Sequence, residues 1–266
     1  MPPPPDLALL ARIQAQMRAV ARRQYEAVAV PPFTLFFHDR DPLPYFNYAI
    51  PDGPGASSCN LAAPLDRLEA EFRSRDRVPR FEFVEACAPR LAEALEAHGF
   101  ALENRAQLMV CPRGEERAAP AVSGLDLATL EAATALEEFT AFLDVQRRAF
   151  GLPAPRMPSD EEAQSLRETL GRGLAFLGRI EGEPVATAMI QSPHNGLTEL
   201  AGVATLEAFR RRGIAGFLSF VAVRAAFDRG SSLAFLSAAD ARAGRVYEAA
   251  GFSPAGHSLF YRRPAP

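Results

Sequence analysis

The sequence predicts an α/β (α+β) protein in which helices flank a mixed β-sheet, and it predicts that this arrangement occurs twice. In the C-terminal half, apolar alternation and helical spacing give the order β-α-α-β-β-β-α-β-α-β. A strand–helix–strand sequence at the end of this order implies parallel pairing, so the sheet should be mixed and covered by helices. The second observation is an ungapped similarity between the two halves of the chain.

In the N-terminal half, apolar residues at helical spacing alternate with short apolar runs bounded by proline or glycine. The first helix has Leu10, Ile13 and Met17 on one face. The predicted helices cover residues 7–28, 65–74 and 89–98, and the predicted strands cover 33–38, 45–50, 80–84 and 106–110. Residues 112–120 are charged and lack apolar periodicity, so we expect a linker between a domain at 1–117 and a domain at 118–266.

In the C-terminal half, the helix and strand boundaries carry local signals. Ser159 and Glu162 have the spacing of a capping box and predict a helix start. The run Glu181-Gly182-Glu183 predicts a tight hairpin turn between two strands. The predicted strands cover residues 125–130, 174–180, 184–191, 198–206, 233–238 and 258–262, and the predicted helices cover 136–150, 159–170, 217–227 and 241–250.

The two halves resemble each other when Gly99 is set on Gly251, an offset of 152 residues. The strand at 81–84 then falls on 233–236 without a gap. Such a register favours an internal duplication over a coincidence between two strand–helix–strand units. At the same offset, the basic segment at 210–216 falls on 58–64, which contains no Arg and no Gly. The N-terminal half is therefore interpreted as a degenerate copy.

The most informative stretch joins a buried strand to an apolar helix through the run Arg210-Arg211-Arg212-Gly213-Ile214-Ala215-Gly216. A helix N-terminus leaves backbone N–H groups unpaired and carries a partial positive charge. Glycines allow a ligand to approach that backbone closely, and the arginines add positive charge. This combination predicts a phosphate or pyrophosphate cradle. The spacing fits neither a P-loop nor a dinucleotide fingerprint, and the alternative is an arginine cluster that caps a core helix.

Two motifs of this sequence resemble the GCN5-related N-acetyltransferase (GNAT) family. The first resembles the coenzyme A loop of that family and reads Arg210-x-x-Gly213-x-Ala215. The second resembles a family signature that usually begins with Asn and reads Asp240-x-x-Ala243-x-x-Val246-Tyr247-x-x-x-Gly251-Phe252. The resemblance covers roughly residues 125–263. It implies a GNAT fold with a mixed, mostly antiparallel central sheet, here in tandem.

The resemblance also implies acetyl-CoA as a co-substrate. In the family, a bulge splays the strand before the loop from its neighbour, and the free backbone groups pair with the pantetheine arm. Here those groups belong to the end of the strand before the loop, and the diphosphate would lie on the loop. The implied cofactor-binding residues are Val203, Ala204, Thr205, Arg210, Arg211, Arg212, Gly213, Ile214, Ala215, Gly216 and Asp240.

Two residues are candidates for proton transfer. Tyr247 stands where the family places a tyrosine that faces the thiolate, and a phenol with a pKa of about 10 can donate to it. Glu199 is eleven positions before Arg210, where histone-type members carry a glutamate base. His194 is an alternative base, although its surroundings predict a turn. Asp240 replaces the usual Asn, and an ionised carboxylate cannot donate the hydrogen bond that the amide provides.

These observations predict an enzyme that transfers an acetyl group from acetyl-CoA to an amine by direct attack in a ternary complex. The acceptor would be a small-molecule or peptide amine, and the protein a monomer or homodimer. The alternatives are a non-catalytic acyl-CoA-binding or sensor protein, and a transferase of larger acyl groups or with an alcohol acceptor. A net charge of −3 gives no indication of nucleic-acid binding. Neither metal-ligand spacing nor a signal peptide or membrane span is present, so we expect a cytoplasmic protein.

Overall fold

A computed structural model describes residues 6–53, 56, 60–151 and 157–264 of the chain. The chain forms two compact units that are interleaved along the sequence. The first unit comprises three segments: the chain up to Leu108, Ser237–Ala241, and the chain from Pro254 onward. The second unit comprises Met109–Leu236 and Arg242–Ser253. The expected domains 1–117 and 118–266 remain a prediction.

The first unit combines a sheet with three helices. Its elements are α1 (Leu7–Gln24), β1 (Glu26–Val30), β2 (Phe33–Phe37), β3 (Asn47–Pro51), α2 (Ala62–Ser74), β4 (Arg80–Val84), α3 (Leu91–Ala97), most of β5 (Ala101–Pro112), and β11 (Ser253–Arg262). Strands β1, β2 and β3 pair antiparallel, β3 pairs parallel with β4, and β11 pairs antiparallel with β4. Fully buried phenylalanines, among them Phe33, Phe72 and Phe81, form its core.

The second unit contains the region in which the sequence predicts a ligand site. Its elements are β6 (Leu125–Leu130), α4 (Leu136–Phe150), α5 (Asp160–Leu170), β7 (Leu174–Ile180), β8 (Glu183–Ile190), β9 (Leu197–Thr205), α6 (Ile214–Asp228), most of β10 (Leu233–Ala238), and most of α7 (Ala241–Ala249). Strands β6, β7, β8 and β9 pair antiparallel in sequence order, and β9 pairs parallel with β10. Phe139, Phe142 and Val145 bury the inner face of α4.

The element order predicted for the C-terminal half is confirmed. The capping box is also present, since the Ser159 hydroxyl accepts from the Glu162 N–H at 3.3 Å and the Glu162 carboxylate accepts from the Ser159 N–H at 2.6 Å. The prediction of one helix over 7–28 was wrong at its end. The chain becomes extended at Tyr25, and β1 pairs with β2, for example through Val28 and Leu35. Pairing to a neighbouring strand overrides the local helical spacing there.

The tandem fold expected from the internal duplication is confirmed, and two pairs of elements keep the predicted offset. Ala62 and Ile214 begin equivalent helices, Ala101 and Ser253 begin equivalent strands, and the members of each pair are 152 residues apart. Each unit also contains a parallel strand pair, β3–β4 in the first unit and β9–β10 in the second. None of the described helices combines the length and the apolar character that a bilayer crossing requires.

Candidate functional site

Strand β9 carries a β-bulge just before its end. On β8 the paired residues advance from Thr187 to Met189, whereas on β9 they step from Ala204 to Ala201, so β9 contains one extra residue. Gly202 lies in this extra step and has a φ of +58°. A left-handed φ favours glycine because it has no Cβ. A bulge bends the strand and increases its twist, which turns the end of β9 away from the regular sheet.

Strands β9 and β10 separate along their length. Their parallel pairing includes Leu197, Thr198 and Glu199 of β9, and it ends at Glu199 opposite Phe235. The remaining residues of β9 up to Thr205 have no β10 partner among the described residues. Backbone groups on this side of β9 are therefore available to an extended ligand, which could pair with them as an added strand. This splaying agrees with the resemblance and with its prediction of a bulge.

The loop after β9 presents a row of free backbone donors. Helix α6 begins at Ile214, and its N-cap residue Gly213 is left-handed, with a φ of +82°, and provides no side-chain cap. Arg211 is left-handed as well, with a φ of +64°. None of the six backbone N–H groups at positions 211–216 donates to a residue that the structure describes. Successive free N–H groups at a helix N-terminus form an anion-binding nest.

The three arginines of the loop have different surroundings. Arg210 donates from Nε to the Thr205 carbonyl at 3.1 Å and from Nη2 to the Ala149 carbonyl at 3.1 Å, so it holds the loop against β9 and α4. Arg212 lies over the Phe209 ring at 5.2 Å. The exposed Arg211 side chain forms no hydrogen bond or ion pair with the described part of the chain. Arg211 therefore has a free guanidinium at the mouth of the nest.

Tyr247 projects from α7, which packs on the start of α6. A Cβ added at Gly216 of α6 would lie 3.9 Å from Cγ1 of Val246, an ordinary van der Waals distance, so α7 lies beside the start of α6 there. The Tyr247 ring meets the Phe252 ring edge-on, with centroids 6.1 Å apart. Its hydroxyl has no hydrogen-bond partner among the described residues, and burial raises the pKa of Tyr247 to about 12. The phenol therefore stays protonated at neutral pH.

One candidate base lies at the end of the part of β9 that pairs with β10, and the other lies before β9. Glu199 is half-buried and is the last β9 residue paired with β10, so it lies where the two strands begin to separate. His194 lies in the turn before β9, where its backbone forms a bridge with Leu197, which confirms the predicted turn. Asp240 lies in Ser237–Ala241 of the first unit, so its predicted part in cofactor binding remains a prediction.

The side chains of Thr187 and Gln146, and the side-chain hydroxyl of Thr205 as distinct from its predicted backbone role, carry no signal in the sequence. The Thr187 hydroxyl and the Gln146 side-chain amide both donate to the Gly202 carbonyl, at 2.9 Å and 3.2 Å. The Thr205 hydroxyl is buried without a hydrogen-bond partner in the described structure. Such a group is costly unless a ligand or water completes it. All three depend on the position of the bulge, which no local pattern reports.

The equivalent strand pair of the first unit is closed by its own chain. The Gln14 side chain, 3% exposed, donates from Nε2 to the Pro51 carbonyl at 3.2 Å and accepts from the Val84 N–H at 3.0 Å. It therefore links the ends of β3 and β4, for which the described residues give one pair, Ala49 and Phe81. In that unit a buried glutamine takes the place that remains open between β9 and β10.

Within the described residues, no group of three or more His, Cys, Asp or Glu side chains is placed to hold a metal ion. The site consists instead of a splayed strand, a nest of N–H groups and two half-buried candidate groups for proton transfer. Its polar features suit an extended ligand that ends in phosphates.

Comparisons with known proteins agree with this geometry. Residues 139–252 match the model of the acetyltransferase (GNAT) family. A GCN5-related N-acetyltransferase from Kribbella flavida is 26% identical, with a TM-score of 0.78, over 97% of this chain and 96% of that chain.

Two further solved structures share the fold. A GCN5-related N-acetyltransferase from Sphaerobacter thermophilus is 19% identical, with a TM-score of 0.65, over 88% of this chain and 78% of that chain. A tandem GNAT protein from the clavulanic acid biosynthesis pathway is 16% identical, with a TM-score of 0.62, over 88% and 79% of the two chains. A comparison with curated proteins gave no significant match. Residues 139–252 therefore match the acetyltransferase (GNAT) family, and the chain shares the fold of GCN5-related N-acetyltransferases over both halves.

Proposed function

We propose that the second unit binds acetyl-CoA and transfers its acetyl group to an amine. The observation that carries this proposal is the row of six free N–H groups at positions 211–216, directly after a strand that is splayed from its neighbour. A phosphate group satisfies such a row, and an extended amide chain satisfies the open edge of β9. Coenzyme A joins both chemistries in one molecule.

The residues present fit such a ligand. Val203, Ala204 and Thr205 supply the open strand edge, and the buried Thr205 hydroxyl gains a partner when the ligand is bound. Arg211 and the N–H groups of Arg212, Gly213, Ile214, Ala215 and Gly216 hold the diphosphate, while Arg210 fixes the loop. Asp240 would act at the start of α7, with a carboxylate in place of the usual amide.

The chemistry follows from the two half-buried groups. Glu199 accepts a proton from the acceptor ammonium, so that a neutral amine attacks the thioester carbonyl. The carbon–nitrogen bond forms, the carbon–sulfur bond breaks, and the remaining excess proton of the nitrogen passes to the departing sulfur. Since a thiol has a pKa of about 8.5 and burial raises that of Tyr247 to about 12, full transfer from the phenol is unfavourable. Tyr247 instead donates a hydrogen bond to the negative charge that develops on sulfur.

The experiment is a thiol-release assay with acetyl-CoA and a panel of small amines and N-terminal peptide amines. Wild type should release CoA only with an acceptor, and Glu199→Gln should lower kcat by about 100-fold or more. Tyr247→Phe, which keeps the ring and removes the hydroxyl, should lower kcat with little change in acetyl-CoA affinity. Tight acetyl-CoA binding without transfer to any acceptor would instead support the acyl-CoA-binding or sensor alternative.

The N-terminal unit has a different role in this proposal. Its strand gap is closed by Gln14, and the segment equivalent to the arginine loop contains neither Arg nor Gly. We assign it a structural or substrate-shaping role and assign the transferase to residues 118–266. Whether the acceptor is a free small molecule or a peptide is decided by the panel.

A further inference from the structure

The carbonyl of Gly202 stands out because two side chains converge on it from different elements. Thr187 belongs to β8 and is fully buried, and its hydroxyl donates at 2.9 Å. Gln146 belongs to α4 and donates from Nε2 at 3.2 Å. A carbonyl inside a bulge has no regular ladder partner, so these two side chains replace the backbone donor.

Gly202 itself is adapted to this arrangement in two ways. Its φ of +58° is a left-handed value, which L side chains adopt with strain. A Cβ at this position would also overlap Nε2 of Gln146. The bulge therefore needs glycine both for its backbone conformation and for the approach of Gln146.

We propose that Gln146 and Thr187 are positioning residues of the acyl-CoA site, which hold the bulge of β9 and thereby aim its last backbone groups at the pantetheine arm. This inference rests on the proposed function. The extra residue at the bulge shifts the alternation of N–H and C=O groups along β9, so it determines which groups of Val203 and Thr205 face the gap. Without the two donors, the Gly202 carbonyl loses both of its side-chain partners and the strand is driven back toward a regular ladder.

Two parts of the ligand would meet different elements of the protein. The bulge governs the strand edge that would meet the pantetheine arm, whereas the diphosphate would be held by the loop and the start of α6. Arg210 anchors that loop by donating to the Thr205 and Ala149 carbonyls, whereas Gln146 and Thr187 donate to the Gly202 carbonyl. Loss of the two donors should therefore weaken the ligand that carries pantetheine and spare a ligand that consists of the nucleotide alone.

The test uses calorimetry with two ligands. One is acetyl-CoA, and the other is adenosine 3′-phosphate 5′-diphosphate, the nucleotide part of coenzyme A without pantetheine. Thr187→Val and Gln146→Met keep shape and remove the donors. Each should weaken acetyl-CoA binding by about 3- to 10-fold, and the double variant by more, with less than about a 2-fold change for the nucleotide. Thr187→Ser keeps a hydroxyl and should restore binding. Thr140→Val is the matched control, since it removes a hydroxyl of α4 that donates within the helix, to the Leu136 carbonyl.

The calorimetry separates failure of the positioning role from failure of acetyl-CoA binding itself. If wild type binds both ligands and the donor variants lose both equally, or lose neither, the positioning role is wrong while the proposed function stands. If wild type binds neither ligand, the proposed function itself fails and the inference fails with it. Selective loss of acetyl-CoA, reversed by Thr187→Ser, supports the inference.

Discussion

Replacing Gly202 by alanine tests the bulge most directly through stability. An alanine at φ +58° costs about 1–2 kcal/mol. Its Cβ would also displace Gln146 from the Gly202 carbonyl, which forfeits a hydrogen bond worth about 1 kcal/mol. We expect Gly202→Ala to lower the unfolding free energy of the second unit by about 2–3 kcal/mol, or its Tm by roughly 5–10 °C.

The assay is thermal unfolding, with a control and a double-mutant cycle. Gly182→Ala is the matched control, because its φ is +82° but nothing lies within 4 Å of an added Cβ, so it carries the backbone cost alone. Gln146→Ala removes the obstructing amide, so Gly202→Ala should cost less in that background. A coupling energy of about 1 kcal/mol is expected. If the destabilisations of the two single variants sum to that of the double variant within about 0.5 kcal/mol, the two sites are independent and the reasoning is refuted.

Three further predictions concern the loop, the first unit and the phenol. Arg210→Gln should weaken acetyl-CoA binding by about 3- to 10-fold in calorimetry, since it loosens the loop from β9 and α4; an unchanged affinity would contradict this. Calorimetry should also give one acetyl-CoA per chain because Gln14 closes the other strand gap, and two sites would contradict it. The difference between the absorbance titrations of wild type and Tyr247→Phe reports the ionisation of Tyr247 alone. This difference should show no ionisation near pH 10, since burial raises the pKa of Tyr247 to about 12.

The raised pKa of Tyr247 also makes the free energy of unfolding depend on pH. The pKa of Tyr247 in the folded chain, about 12, lies above the unfolded value of about 10. The protonated phenol therefore stabilises the folded state, and this contribution is complete below pH 10 and is lost between pH 10 and pH 12. Tyr247→Phe should unfold with a weaker pH dependence than wild type in that window. Equal pH dependence would contradict the assignment.

Much of the fold could be predicted from sequence because its signals are local. Helix α4 and strand β7 lie at the predicted positions, where apolar spacing and turn residues agree with the tertiary structure. Strand β1 was missed because its extended form depends on pairing with β2. The apolar residues before it have helical spacing, and the predicted helix was therefore continued into β1. The pairing of β11 with β4 joins residues more than 170 positions apart, and no local pattern encodes it.

Part of the candidate site could be predicted from sequence and part could not, for the same reason. The arginine–glycine loop has a sequence pattern because every member is a near neighbour in the chain, and the structure gives it free N–H groups at the start of α6. Gln146 and Thr187 lie 41 positions apart and meet only at the Gly202 carbonyl. A glutamine on a helix and a threonine on a strand are ordinary by themselves, so their role follows only from three-dimensional contact.

The central claim is that the diphosphate of acetyl-CoA binds at the nest of N–H groups before α6. Calorimetry of acetyl-CoA against wild type, Gly213→Asp and Gly182→Asp tests it most directly, since both variants add one negative charge at a left-handed glycine and only Gly213 belongs to the nest. The account predicts binding by wild type and by Gly182→Asp, and a loss of at least about tenfold in affinity for Gly213→Asp. Equal affinity of all three proteins, or no binding by wild type, would contradict it.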